Sequence, residues 1–171
     1  YPAFNVSFNL GYGFLGSKEM DELDVAGKGM VTELKLGLFN QGSEFGIYSA
    51  NKSYKAAIKH DGTGGDLLTD IGSFGVYGVY YAKSIYFEVG YGVVNIKNNV
   101  EGSYTSAQAK VINQIYNLEE EASSSSELKA GIGLKLFTIG GAIINLNGTR
   151  VIHQELSFHE TVIGLETKIV F

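Results

Sequence analysis

From Phe4 to Phe14 the chain alternates without a slip: Phe4, Val6, Phe8, Leu10, Tyr12 and Phe14 are separated by Asn5, Ser7, Asn9, Gly11 and Gly13. A two-residue period held over that length predicts a strand with one apolar and one polar face. The C-terminal segment has the same form, with Thr161, Ile163, Leu165, Thr167, Ile169 and Phe171 opposed to Glu160, Val162, Gly164, Glu166, Lys168 and Val170. Leu34, Leu36 and Leu38 alternate likewise, as do Ile85 to Val93 and Leu128 to Leu136. Three further strands, at about 44–54, 69–81 and 139–149, bring the predicted total to eight but leave their facing open.

The predicted connections alternate in length. Long ones lie at 16–28, 55–67 and 98–126, short ones at 40–43, 82–84 and 137–139, and a moderate one at 150–155. Short and long turns then lie at opposite ends of an up-and-down sheet, with both termini at the short-turn end, which is the arrangement of outer-membrane barrels.

Alternation alone does not say which face is outside. A soluble up-and-down barrel turns its apolar face inward, whereas a membrane barrel turns it to lipid and keeps a polar lumen. The face opposite the apolar one decides between them, because it carries Gly, Asn and charges of both signs. Glycine gains nothing on a solvent-facing strand but relieves crowding inside a narrow barrel. Charges of both signs there can pair, and the expected lumen ion pairs involve Glu33, Lys35, Glu88 and Lys129, together with Lys135, Glu166 and Lys168. Aromatic girdles are expected at Phe4, Phe39, Phe45, Phe87 and Phe137 on the short-turn side and at Tyr12, Phe14 and Tyr91 on the other.

Composition narrows the alternatives. The 171 residues include 23 Gly, 11 Tyr and 10 Phe, but one Pro, no Cys and no Trp. No stretch reaches the roughly 18–20 apolar residues of a membrane-spanning helix, while a barrel strand needs only about 9–11. A net charge of −5 gives no basic field for nucleic acid. Without cysteine, and with only His60, His153 and His159 as imidazoles, no metal set is legible and no cofactor is implied. The start at Tyr1-Pro2-Ala3 is compatible with an exported chain whose signal peptide has been removed.

The terminal strand, alternating through Ile169 and ending on Phe171, resembles the C-terminal signal of outer-membrane barrels. That resemblance implies recognition by the barrel-assembly machinery. With eight strands and no second domain, residues 1–171 as a whole resemble the small OmpA/OmpX-type and opacity-protein barrels of Gram-negative bacteria. The expectation is therefore an all-β fold: an eight-stranded antiparallel up-and-down transmembrane β-barrel, monomeric, with short periplasmic turns and long extracellular loops. It would sit in the outer membrane among lipid and lipopolysaccharide.

Three sets of residues invite chemistry. Gly11-Tyr-Gly-Phe-Leu-Gly16 spells a dinucleotide-binding fingerprint, but an acidic segment follows it in place of a helix. Glu155, Ser157 and His159, beside His153 and Glu160, invite comparison with the outer-membrane lipid A deacylases; they are weak catalytic candidates, since the His-x-Ser spacing of that family is absent. The lumen charges could instead line a narrow, low-conductance channel. The loops carry the remaining signals: loop one (Glu19, Asp21, Glu22, Asp24) and loop three (Glu101, Glu119, Glu120, Glu121, Glu127) are acidic, and loop two (Lys52, Lys55, Lys59, His60) is basic. Val111, Ile112, Ile115 and Leu118 have helical spacing ahead of a serine run at 123–126. The functional expectation is a structural or surface-interaction role through these loops, touching host surface molecules, with lipid A modification or conduction as alternatives.

Overall fold

The computed structural model describes residues 2–17, 26–60, 63–102, 122–154 and 158–171. Eight strands are present: β1 Ala3–Ser17, β2 Gly27–Asn40, β3 Ser43–His60, β4 Thr63–Ala82, β5 Ile85–Gly102, β6 Ala122–Ile139, β7 Ala142–His153 and β8 Phe158–Val170. Each pairs antiparallel with its neighbours in sequence, and β8 pairs with β1 to close the barrel. Val6 faces Ile169 across that seam, and the Phe171 N–H donates to the Phe4 carbonyl at 2.8 Å. A closed ladder leaves no strand edge to be desolvated in hydrocarbon. The expected up-and-down barrel is thus the observed fold.

Two-residue turns at 41–42, 83–84 and 140–141 join the strands at the short-turn end. Gln41 and Gly42 (φ +48° and +83°) and Gly140 and Gly141 (φ +56° and +84°) both have positive φ at the two central positions. That is the type I′ geometry whose twist matches a hairpin, and the glycines adopt it without a Cβ clash. Close to the last of these turns, register shifts between Lys135 and Phe137 of β6 against β7, so Leu136 and Phe137 both lie exposed.

The facing of every strand is resolved. Phe45 and Ile47 on β3, Phe74, Val76 and Tyr80 on β4, and Leu146 on β7 point outward, joining Phe8, Leu34, Val89, Ile132 and Leu165 in an exposed apolar belt. Only lipid makes such a belt stable, because a water-exposed apolar surface of that extent is unfavourable at about 25 cal/mol per Å².

Strand lengths depart from expectation. β3, β4 and β5 run 18, 20 and 18 residues, so the segment expected as a loop at 55–67 is a continuous hairpin paired up to His60 and Thr63. Likewise β6 begins at Ala122, which puts the serine run at 123–126 in a strand, where Ser126 Oγ donates to Gln154 Oε1 at 2.8 Å. β7 extends through His153. The physical reason lies in an exchange of faces. Beyond Ile47, Phe74 and Val93 the outward positions become Ser53, Lys55, Asp66, Asp70, Asn95 and Lys97, and the inward ones become Ala56, Leu67, Ile71, Val94 and Ile96. Within lipid the barrel is apolar outside and polar inside, while above lipid it has the opposite polarity, as a soluble barrel does. A pattern read for one fixed apolar face breaks at that level.

Candidate functional site

The lumen is filled by a layered set of polar side chains under an apolar layer. Nearest the short turns, Tyr77 Oη donates to Glu44 Oε1 at 2.6 Å, Lys168 Nζ bonds Glu44 Oε2 at 2.6 Å, and Tyr81 reaches the same carboxylate. In the middle, Lys35 Nζ lies 2.7 Å from Glu88 Oε2 and also pairs with Glu166, while Lys129 Nζ bridges Glu33 at 2.6 Å and Glu88 at 2.8 Å. Higher up, Lys52 Nζ stands 3.0 Å from Glu160 and 3.4 Å from Glu127. Tyr48 donates to Glu127 at 2.6 Å, Tyr54 donates to Glu160, and His153 Nε2 is 2.6 Å from Glu160 Oε2. Above this layer, Leu15, Val31, Leu67, Ile71, Val94 and Phe158 pack together across the lumen.

Among the described residues, four lysines meet six glutamates in these pairs. Buried charges are stable only when paired and hydrogen-bonded. The two surplus carboxylates are answered by neutral donors: the tyrosine hydroxyls above, Ser73 Oγ to Glu127 at 3.2 Å and Asn145 Nδ2 to Glu166 at 2.9 Å. Glycine makes room for the rings. A Cβ on Gly13 would stand 2.6 Å from Tyr54 Oη, and one on Gly75 would stand 2.8 Å from Tyr48 Cε1. Tyr77 and Tyr86 lie in the same way against Gly37 and Gly133. Each bulky ring on one strand thus occupies the space left by a missing side chain on another.

Of the seven charges expected in the lumen, Glu33, Lys35, Glu88, Lys129, Glu166 and Lys168 stand in this network. Lys135 does not: it keeps its regular pairing with Asn145 but lies exposed at the short-turn mouth of the lumen, away from the paired charges. Lys52 and Glu127, read as loop residues, are buried lumen residues, because β3 and β6 continue through them. Glu44 and the tyrosines Tyr48, Tyr54, Tyr77, Tyr81 and Tyr86 were not legible as lumen groups. Their only signal is that each shares strand parity with a glycine or charge.

Of the expected girdle, Phe4, Phe45, Phe87 and Phe137 are exposed toward the short turns, and Tyr12, Phe14 and Tyr91 toward the other end. Phe39 belongs elsewhere: it faces inward, with its ring 5.5 Å edge-on from Tyr81. Ile169 and Phe171 face outward at the seam, where the Phe171 ring lies 6.1 Å from that of Phe4.

The other sets of residues separate. Gly11 and Gly13 lie inside β1, which pairs with β2 and β8 along its length, so no phosphate-binding turn forms there. His159 stands outward over Gly16, whereas His153 and Glu160 are in the lumen, bonded to each other. His159 is therefore on the opposite side of the wall from Glu160 and His153. Glu155 and Ser157 lie outside the described residues, as do loop one at 18–25 and the helix-like spacing at 111–118. In place of a legible metal set, the structure gathers Glu127, His153 and Glu160 with ligand atoms all within 4.8 Å of one another. The Lys52 ammonium already occupies the cation position of that group.

No protein-family model matches the sequence, and no curated protein matches it either. Solved structures do match in fold. Neisserial surface protein A is 12% identical, with 98% of this chain and 97% of that one covered and a TM-score of 0.55. Ail, the attachment invasion locus protein of Yersinia pestis, is 11% identical over 99% of both chains with a TM-score of 0.56. OprG of Pseudomonas aeruginosa is 10% identical over 99% and 97% with a TM-score of 0.53. The closed eight-strand ladder, the apolar belt and this likeness together show that the chain has the fold of the small eight-stranded outer-membrane β-barrels.

Proposed function

We propose that this barrel serves at the cell surface, as a structural and interaction protein whose contacts are made by its extracellular end. The observation that carries this reading is the length of β3, β4 and β5. A barrel strand crosses the membrane in about 9–11 residues, and these have 18, 20 and 18. The excess raises one side of the barrel well clear of lipid as a folded lip with its own apolar interior. A rigid platform that holds loops away from the membrane is what contact with another surface requires.

Charge narrows the class of partner. The Ail structure in complex with the heparin analogue sucrose octasulfate shows a barrel of this fold with a polyanion. Here, however, loop one carries Glu19, Asp21, Glu22 and Asp24, loop three carries Glu119 to Glu121, and the net charge is −5. These charges favour cationic or neutral partners on host surfaces over sulfated polysaccharide. Lys28, Lys55, Lys97 and Arg150, exposed on the outer wall above the belt, fit the phosphates of lipopolysaccharide. Assembly through a terminal strand ending in Phe171 fits the barrel-assembly machinery.

The test is to replace residues 103–121 with a short Gly-Ser linker and compare attachment of expressing cells to host-cell monolayers. Loss of attachment with unchanged heat-modifiable gel mobility is expected. Undiminished attachment would remove loop three as the contact.

A further inference from the structure

At its short-turn end the lumen opens into a cavity of about 280 Å³ facing the periplasm. Asn5 lies in its lining, fully buried, and neither its side-chain oxygen nor its nitrogen has a hydrogen-bond partner. A buried amide left unsatisfied costs about 1–3 kcal/mol, so a polar group seated in the cavity is its natural partner. The walls beside it are aromatic, formed by Phe39, Tyr81 and Tyr86.

The rim is cationic, formed by Lys83 and Lys135. Lys83 holds φ +61° in its turn, a conformation that costs a residue with a Cβ roughly 1–2 kcal/mol. Gly, Asn or Asp would adopt it more easily. Lys135, paired with Asn145 at the last regular position of β6, stands at the same rim, and its N–H donates to the Ser84 carbonyl at 2.7 Å, which ties strand to turn. Strained turn residues such as Lys83 cluster at functional positions. Lys168, the other lysine in the lining, is engaged by Glu44, whereas Lys83 and Lys135 have no carboxylate partner among the described residues.

We propose that this cavity binds a small aromatic acid from the periplasm: a carboxylate held by Lys83 and Lys135, a ring among Phe39, Tyr81 and Tyr86, and a polar substituent at the far end bonded by Asn5. The volume is slightly below the roughly 300 Å³ at which drug-sized pockets begin, which suits a single ring with one acidic arm. This site is independent of the extracellular lip and faces the opposite compartment.

The test uses the isotope-labelled barrel in phospholipid nanodiscs, titrated with 3-(4-hydroxyphenyl)propionate, 3-phenylpropionate and tyramine while amide shifts are followed by NMR. The hydroxylated acid should cause saturable shifts at Asn5, Phe39 and Ser84, the unsubstituted acid should bind more weakly, and tyramine should cause none. The Lys83→Glu/Lys135→Glu variant, changed only at exposed positions, should keep its heat-modifiable mobility and lose affinity for both acids by about tenfold or more. Asn5→Ala should abolish the preference for the hydroxylated acid. Absence of saturable shifts, equal binding of tyramine, or undiminished affinity in the double lysine variant would each overturn the proposal.

Discussion

Lys35 is the ammonium on which the middle of the lumen depends. Its side chain is 2% exposed and sits between Glu88, at 2.7 Å, and Glu166, with Glu33 at 4.0 Å. Lys35→Met keeps the length and apolar stem of the side chain while deleting its charge. Glu88 would still have Lys129 at 2.8 Å, but Glu166 would be left with Lys168 at 3.8 Å and the Asn145 amide. With an effective dielectric constant of about 20, a unit charge pair 2.7 Å apart interacts by roughly 6 kcal/mol. Part of that offsets the desolvation of the lysine itself, so the net loss expected on removing one partner of a buried pair is about 3–5 kcal/mol. The assay is a urea titration of the barrel refolded in phospholipid vesicles, with the folded fraction read from the mobility of unboiled samples. Lys35→Met/Glu166→Gln, which removes the orphaned carboxylate as well, should recover at least half of the loss. A single variant within about 1 kcal/mol of wild type would refute the view that these charges depend on one another.

Other substitutions test other layers. Gly13→Val should destabilise by about 1–3 kcal/mol, because its Cβ would meet Tyr54 at 2.6 Å; Gly148→Val on the outer face, with nothing within 4 Å of a Cβ, should be close to neutral in the same urea titration. Val89→Arg, at a site 64% exposed in the middle of the belt, should cost about 2–4 kcal/mol in vesicles. The packed layer of Leu15, Ile71 and Phe158 above the ion pairs should keep the wild type silent in planar bilayers, and well-resolved unitary steps would contradict a closed lumen.

The membrane-embedded half of the fold was legible because lipid and lumen impose one rule on every strand. Phe4 to Phe14 obey it without exception, and Ile163 to Phe171 depart from it at Thr167 and Val170. The lip was not legible, because Leu67 and Ile71 point inward where the embedded apolar residues Phe74 and Val76 point outward. Across that level the periodicity persists but its phase changes, and a run such as Asp66-Leu-Leu-Thr-Asp70 reads as a polar loop. The lumen charges could be assigned by parity, but parity does not give depth, and Lys135 stands at the open mouth rather than among the paired charges. Phe39 has the composition of a girdle residue and the parity of a lumen residue, and parity prevails. The tyrosines show the limit most clearly. Tyr48, Tyr54, Tyr77 and Tyr86 each lie over a glycine on another strand, and that complementarity belongs to inter-strand register, which no single strand encodes.

The exchange of faces on β3, β4 and β5 also fixes how deep the barrel sits. Lowering it by four residues along those strands, about 13 Å, would draw Asp70 and Lys97 into hydrocarbon. Raising it by the same amount would lift Phe74 and Val93 into water. Both displacements are opposed, so the bilayer must adjust its thickness to the protein more than the protein adjusts its height. A barrel pinned in this way presents its lip at a constant elevation above the lipid headgroups, whatever the local thickness of the membrane.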